Sequence, residues 1–214
     1  MRGLRSMCRG LPIQGDQGGA VMVDIYLVGV GGQGIITASK IIGDAAILAG
    51  KGVIMSETHG MAQRGGSVVC TARIGDHASP LITDGNADVI LSLELLETER
   101  AVCKSSMKTV VISSTERVVP LSVSTQKMRY PRLEEIKKKM EETSAQVFMI
   151  DSGEVAKKAG VPMSSNVVMI GALAGTGVTG ISREHFEKAL EMNIPRRLQE
   201  NLQAFAMGFD AAKR

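Results

Sequence analysis

The segment GVGGQG carries glycines at 29, 31, 32 and 34 around a single glutamine, Gln33. Gly29, Gly31 and Gly34 fit the pattern G-x-G-x-x-G. After a strand and before a helix, such glycines permit a tight turn and close backbone approach, and the helix start offers free N–H groups to an anion. A dinucleotide site also wants an acid near the end of the second strand, and Glu57 stands at about that place. Gln33 argues the other way, because it occupies a position pointing into the turn a phosphate would fill. A second glycine-bearing loop follows in THGMAQRGG, residues 58–66. It brings His59, Gln63 and Arg64 beside Glu57, a varied set of donors and acceptors. Arg64 suits a carboxylate or phosphate through paired hydrogen bonds, and Gly65 and Gly66 allow close backbone approach. The plainer reading of both loops is a capped turn with solvated side chains, with His59 a hydrogen-bonded structural residue.

The elements that must position these residues can be read from periodicity. Val23 to Val30 is a short apolar run ending in glycines, a buried-strand signal. A helix follows, with Ile36, Ile41, Ile42, Ala45, Ala46 and Leu48 apolar and Gly50 and Gly52 stopping it. Further strands are expected at 53–55, 67–74, 87–93, 109–114 and 146–151, with a helical stretch from Glu94 to Ser106. Val68, Cys70 and Ala72 share one face of the third strand. Pro120 and Pro131 interrupt an irregular connection over 115–132. LEEIKKKMEET, residues 133–143, reads as a surface helix. The C-terminal third is helical: 164–177 apolar all round, a helix capped by Ser182, and a last helix with Leu198, Leu202, Phe205, Ala206 and Phe209 on one stripe. Strands alternating with helices imply βαβ units, so the expected fold is an α/β, Rossmann-like three-layer domain with a mostly parallel sheet and a helical C-terminal portion. The two glycine loops should lie at the carboxyl ends of neighbouring strands and face one crevice.

Composition bounds the function classes. A net charge of +3 is too small to argue for nucleic acid, and Arg2, Arg5 and Arg9 against Asp16 place two of those charges in the first 21 residues. That glycine-rich stretch has no apolar core of a secretory signal, and 1–21 reads as a disordered leader or a misassigned start. No run of about 18 apolar residues marks a membrane span. Cys8, Cys70 and Cys103 are far apart and form no C-x-x-C, which argues against an iron–sulfur cluster or structural metal held by this chain. Free thiols fit a cytoplasmic location.

Three segments together resemble a known family. VDIYLVGVGGQGIITASKIIGDAA, MSETHGMAQRGGSVVCTARIGD and SPLITDGNADVILSLELLETERA are similar to the gamma-type domain of the 2-oxoacid:ferredoxin oxidoreductases, and SSNVVMIGALAGTGVTGISREHFEKAL extends the likeness. It covers about residues 22–192, leaving 193–214 as a C-terminal helix that packs on the domain or on a partner. GxGGQG paired with HGMAQRGGSV is specific to this family, and the MAQRGG form resembles its indolepyruvate type.

The resemblance implies a small subunit that works with a larger alpha subunit. That partner would carry thiamine diphosphate, Mg2+ and 4Fe–4S clusters. The complex would convert arylpyruvates and coenzyme A to aryl-acetyl-CoA and reduce ferredoxin. The sequence agrees in lacking both a cluster-binding cysteine set and a thiamine diphosphate motif, so the hard chemistry must come from another chain. Gly29, Gly31, Gly32, Gln33, Gly34, Gly65 and Gly66 would then form loops facing the partner's active centre, with Glu57, His59, Gln63 and Arg64 completing a pocket. Two alternatives stay open: a stand-alone NAD(P)-binding oxidoreductase, and a non-catalytic interaction subunit.

Overall fold

Alternation along VDIYLVGV assigns the first strand to two cores at once. Val23, Ile25 and Leu27 point to one, while Tyr26 and Val28 point to the other. A computed structural model describes residues 22–59, 65–118 and 130–213, and for His59 the main chain only. Residues 1–21 and the side chains of Gln63 and Arg64 therefore lie outside the described residues.

The strands are β1 (Val23–Val30), β2 (Val53–His59), β3 (Ser67–Ile74), β4 (Val89–Ser92), β5 (Val110–Ser114) and β6 (Gln146–Ile150). The helices are α1 (Ile35–Leu48), α2 (Leu95–Arg100), α3 (Leu133–Thr143), α4 (Ser152–Lys158), α5 (Ser165–Thr176), α6 (Arg183–Asn193) and α7 (Leu198–Ala212). One sheet runs in the order β2-β3-β1-β4-β5-β6. β1, β4, β5 and β6 pair in parallel, and β3 is antiparallel to both β1 and β2. The expected mostly parallel α/β domain is observed. α4, capped by Asp151, is a helix the periodicity did not single out.

The placement of β2 corrects one expectation. β1 and β2 are not neighbours, because β3 lies between them. The physical reason is connection length. A parallel crossover needs a dozen residues or more, whereas residues 60–66 are few enough only for an antiparallel return. β2 also runs to His59 rather than ending at residue 55, so Glu57 belongs to the strand.

α1, α5 and the helices packed on them bury the larger core with Ile25, Leu27, Ile41, Ile42 and Cys70. On the opposite face Val28, Ile90, Leu95, Ile136 and Met140 form the second core. The expected inward set of α6, Phe186, Ala189 and Leu190, is buried. α7 buries Phe205 of the expected stripe, with Leu202 and Phe209 partly buried against the core and Leu198 and Ala206 half-buried; its deepest positions are Asn201, Ala204, Phe205, Gly208 and Ala212. Its seam follows the small residues, which let the helix sit close on α5. Among the described residues no helix is long and apolar enough to cross a membrane.

Candidate functional site at the carboxyl edge of the sheet

β1 hands the chain to α1 on one face, and β4 hands it to α2 on the other. The carboxyl ends of these adjacent parallel strands are thus the point where chain direction diverges, the usual place for a crevice in an open α/β sheet. In this molecule a side chain spans it. Gln33 Oε1 accepts the Val30 N–H at 2.8 Å, and Gln33 Nε2 donates to the Leu93 carbonyl at 2.9 Å. Both functions of the amide are used inside the turn. The glycine requirement follows from this packing: a Cβ at Gly29 would lie 2.7 Å from the Ile35 side chain and 3.1 Å from Gln33 Oε1. Gly32 and Gly34 adopt φ of 105° and 78°, where other residues are strained. Gly34 is further enclosed by Asn166, which donates to its carbonyl at 3.3 Å.

The two glycine loops do meet, though by a different route from the one expected. Gly31 N–H donates to Gly66 O at 2.8 Å, and Gly65 N–H donates to Gly31 O at 3.3 Å. The start of β3, not the end of β2, brings the second loop to the first. Gly65 has φ of 77°, so it supplies both the turn and the close approach.

Glu57 sits opposite Cys70, which sits opposite Leu27. It is therefore two strand spacings, about 10 Å, from β1. A ribose-binding acid belongs on the strand next to β1. The space at the turn, lined by Val30, Gly31, Gly32, Ile35, Ile36 and Thr37, is about 280 Å³. That is at the small end for a ligand pocket. His59 closes β2 opposite Val68, one strand from that lining. Burial pushes the Cys70 thiol up to about 11, so it stays a protonated core thiol. Among the described residues no cluster of three or more His, Cys, Asp or Glu could hold a metal, and Cys70 is buried while Cys103 is exposed. These residues do not fit an iron–sulfur site.

Sequence reasoning missed a buried acidic turn at the same edge. Glu94 caps α2, one carboxylate oxygen accepting the amides of Leu96 at 2.7 Å and Glu97 at 3.1 Å. Its other oxygen accepts the Tyr130 hydroxyl. Glu97 accepts from Ser67 Oγ and from Arg100, each at 2.6 Å. Burial raises the Glu94 carboxyl above its ordinary value, against the lowering effect of its hydrogen bonds, and burial with the Glu94 bond raises the Tyr130 phenol. The available signal was an acid two residues after β4, directly before LLETER.

Loss of the Gln33 latch has a defined cost. Gln33→Ala leaves the Val30 N–H and Leu93 carbonyl without their protein partner, and should lower stability by about 2 kcal/mol in urea unfolding. A loss under about 0.5 kcal/mol would mean the amide bonds are replaced by water at no cost.

A doubly wound sheet with a glycine turn at its switch point defines a Rossmann-like domain, here with the turn bridged by its own glutamine side chain. The chain belongs to the pyruvate ferredoxin/flavodoxin oxidoreductase family, matching it over residues 24–211. It is 44% identical over 190 residues to the indolepyruvate oxidoreductase subunit IorB of Methanothermobacter thermautotrophicus, covering 88% of this chain and 97% of that one. To the IorB subunit of Archaeoglobus fulgidus it is 41% identical over 191 residues, covering 89% and 95%. Among solved structures, the keto/oxoacid ferredoxin oxidoreductase gamma subunit of Geobacter sulfurreducens superposes with a TM-score of 0.64 at 26% identity, covering 89% of this chain and 98% of that one.

Proposed function

We propose that this chain is the small subunit of an indolepyruvate:ferredoxin oxidoreductase. The complex would take an arylpyruvate and coenzyme A to aryl-acetyl-CoA and CO2, passing a pair of electrons singly to ferredoxin. The observation that carries this reading is the 41–44% identity to indolepyruvate oxidoreductase subunits over nearly the whole of both chains. The latched turn supports it, since the chain then relies on cofactors held elsewhere. Thiamine diphosphate with Mg2+ and 4Fe–4S clusters, bound in the larger alpha subunit, supply decarboxylation and electron transfer.

This chain's part is to complete the edge of that active centre. The stitched Gly31, Gly65 and Gly66 backbone gives a rigid rim on which a partner surface or an extended ligand can lie closely. In this reading His59 and Gln63 would bring polar groups toward the rim, and Arg64 would pair with an anionic group, the 2-oxoacid carboxylate or a coenzyme A phosphate, while Glu57, on β2 opposite Cys70, would stand away from it.

The test is anaerobic co-purification from native lysate, followed by viologen reduction with indolepyruvate and coenzyme A. A large brown partner and arylpyruvate-dependent reduction are expected. A colourless, solitary and inactive chain would reject the complex. In the active complex, Arg64→Ala should lower kcat/KM about 100-fold, the scale of a lost charge-assisted pair, while assembly is unchanged. Unchanged turnover would make the loop a subunit contact only.

A further inference from the structure

The buried acids of α2 do more than start a helix. Glu94 is 0% exposed and Glu97 is 1% exposed, one turn apart. Burying carboxylates is costly, and a helix start does not require it. α4 shows the ordinary solution in the same molecule: an exposed Asp151 accepts the Glu154 amide at 3.0 Å. What distinguishes the α2 turn is the set of distant chain segments it grips. On one side Glu97 holds Ser67, the residue after Gly66, whose carbonyl holds Gly31. On the other, Glu94 holds Tyr130, and the Leu95 N–H donates to the Glu116 carbonyl at 3.4 Å. Arg117 lies 5.7 Å from the Tyr130 ring centroid, which closes the pair of chain ends that leave β5 and return to α3. Leu93, the residue before Glu94, receives the Gln33 amide.

We propose that the first turn of α2 is a coupling element, in which Glu94 and Glu97 act as positioning residues that fix the glycine rim to the two described chain ends after β5 and before α3, at Glu116 and Tyr130. Neither acid need touch a substrate for this role. It rests on the reading of this edge as the surface that meets the partner's active centre. Its consequence is reciprocal: loosening either side loosens the other.

Two mild substitutions test it in the full-length chain. Tyr130→Phe removes only the hydroxyl that Glu94 holds, and Ser67→Ala only the one that Glu97 holds. Amide hydrogen exchange is then followed on the side not substituted. Tyr130→Phe should speed exchange at Gly31 and Gly65 about tenfold, the scale of one lost hydrogen bond. Ser67→Ala should do the same at Leu95 and Glu116, and Ser67→Thr, which keeps the hydroxyl, should restore the slow rates. Effects confined to the substituted side, with the far side within about twofold of wild type, overturn the proposal. In the assembled oxidoreductase both variants should raise KM about fivefold with kcat little changed, and the double variant should be no worse than the poorer single one. Far-side exchange that speeds up while both kinetic constants stay at wild-type values overturns the positioning role. A wild-type complex without arylpyruvate-dependent reduction removes the proposed function instead, and the exchange result then decides the coupling by itself.

Discussion

Gly208→Val will yield no soluble folded chain, and Gly208→Ala will lower the thermal midpoint. α5 and α7 meet backbone to backbone through Gly171, Gly175 and Gly208. A Cβ on Gly208 would run into the carbonyl of Val168, one on Gly171 into that of Phe205, and one on Gly175 into that of Phe209. Backbone cannot rotate away as a side chain can, so the helices would have to separate along a fully buried seam. Separation would also disturb the Phe186–Phe205 ring contact, whose centroids are 6.2 Å apart. Overpacking of this kind costs about 1–3 kcal/mol for a single methyl and more for a branched side chain. Helix propensity pulls the other way, favouring alanine over glycine by about 1 kcal/mol. The sign for alanine therefore decides which effect wins. We expect a net loss near 1 kcal/mol, or about 2–4 °C for a chain of this size. A higher midpoint would show that the helix contact is loose enough to admit a methyl group.

That seam also shows where sequence reading stops. The large apolar residues of α7 suggest a stripe through Leu198, Leu202, Phe205 and Phe209. Phe205 is buried and Leu202 and Phe209 pack on the core, but the seam is deepened by small residues, Ala204 and Gly208, which that pattern does not reveal. The strand–turn–helix around GVGGQG was legible, since glycines and periodicity are local properties. β3's insertion between β1 and β2 is a topological fact, carried in the sequence only by the shortness of residues 60–66. Once it is in place, the acid at Glu57 loses the position that a dinucleotide would need. Gln33 was visible as an obstacle to phosphate, but its role as a latch depends on Leu93, far along the chain. Glu94 and Glu97 were the least legible. ELLETER reads only as the start of a helical stretch, and nothing local marks its glutamates, since glutamate is seldom fully buried unless paired. Their partners, Ser67 and Tyr130, lie about 30 and 36 residues away, beyond the reach of any local pattern.

Glu94→Ala should destabilise the chain by about 3 kcal/mol, while Glu94→Gln should cost about 1 kcal/mol and in a pH-dependent way. Alanine removes the cap of α2, worth about 1 kcal/mol, and leaves the Tyr130 hydroxyl facing a partnerless buried space for about 1–3 kcal/mol more. Glutamine keeps the shape and an acceptor oxygen. It replaces a group that burial has pushed toward its neutral form, and the second buried acid, Glu97, pushes it further in that direction. The linkage sign follows. A carboxyl whose pKa is raised on folding holds its proton longer in the folded state than in the unfolded one. Wild-type stability therefore falls as pH rises from the ordinary glutamate value of about 4.3 through the raised value, and the burden stays above it. Glutamine carries no such burden. The difference between wild type and Glu94→Gln should thus be larger at pH 5 than at pH 8 when both are unfolded in urea. A difference that instead grows with pH would mean that the ionised carboxylate is the favoured form in the fold, with the amides of Leu96 and Glu97 and the Tyr130 hydroxyl together outweighing the loss of water.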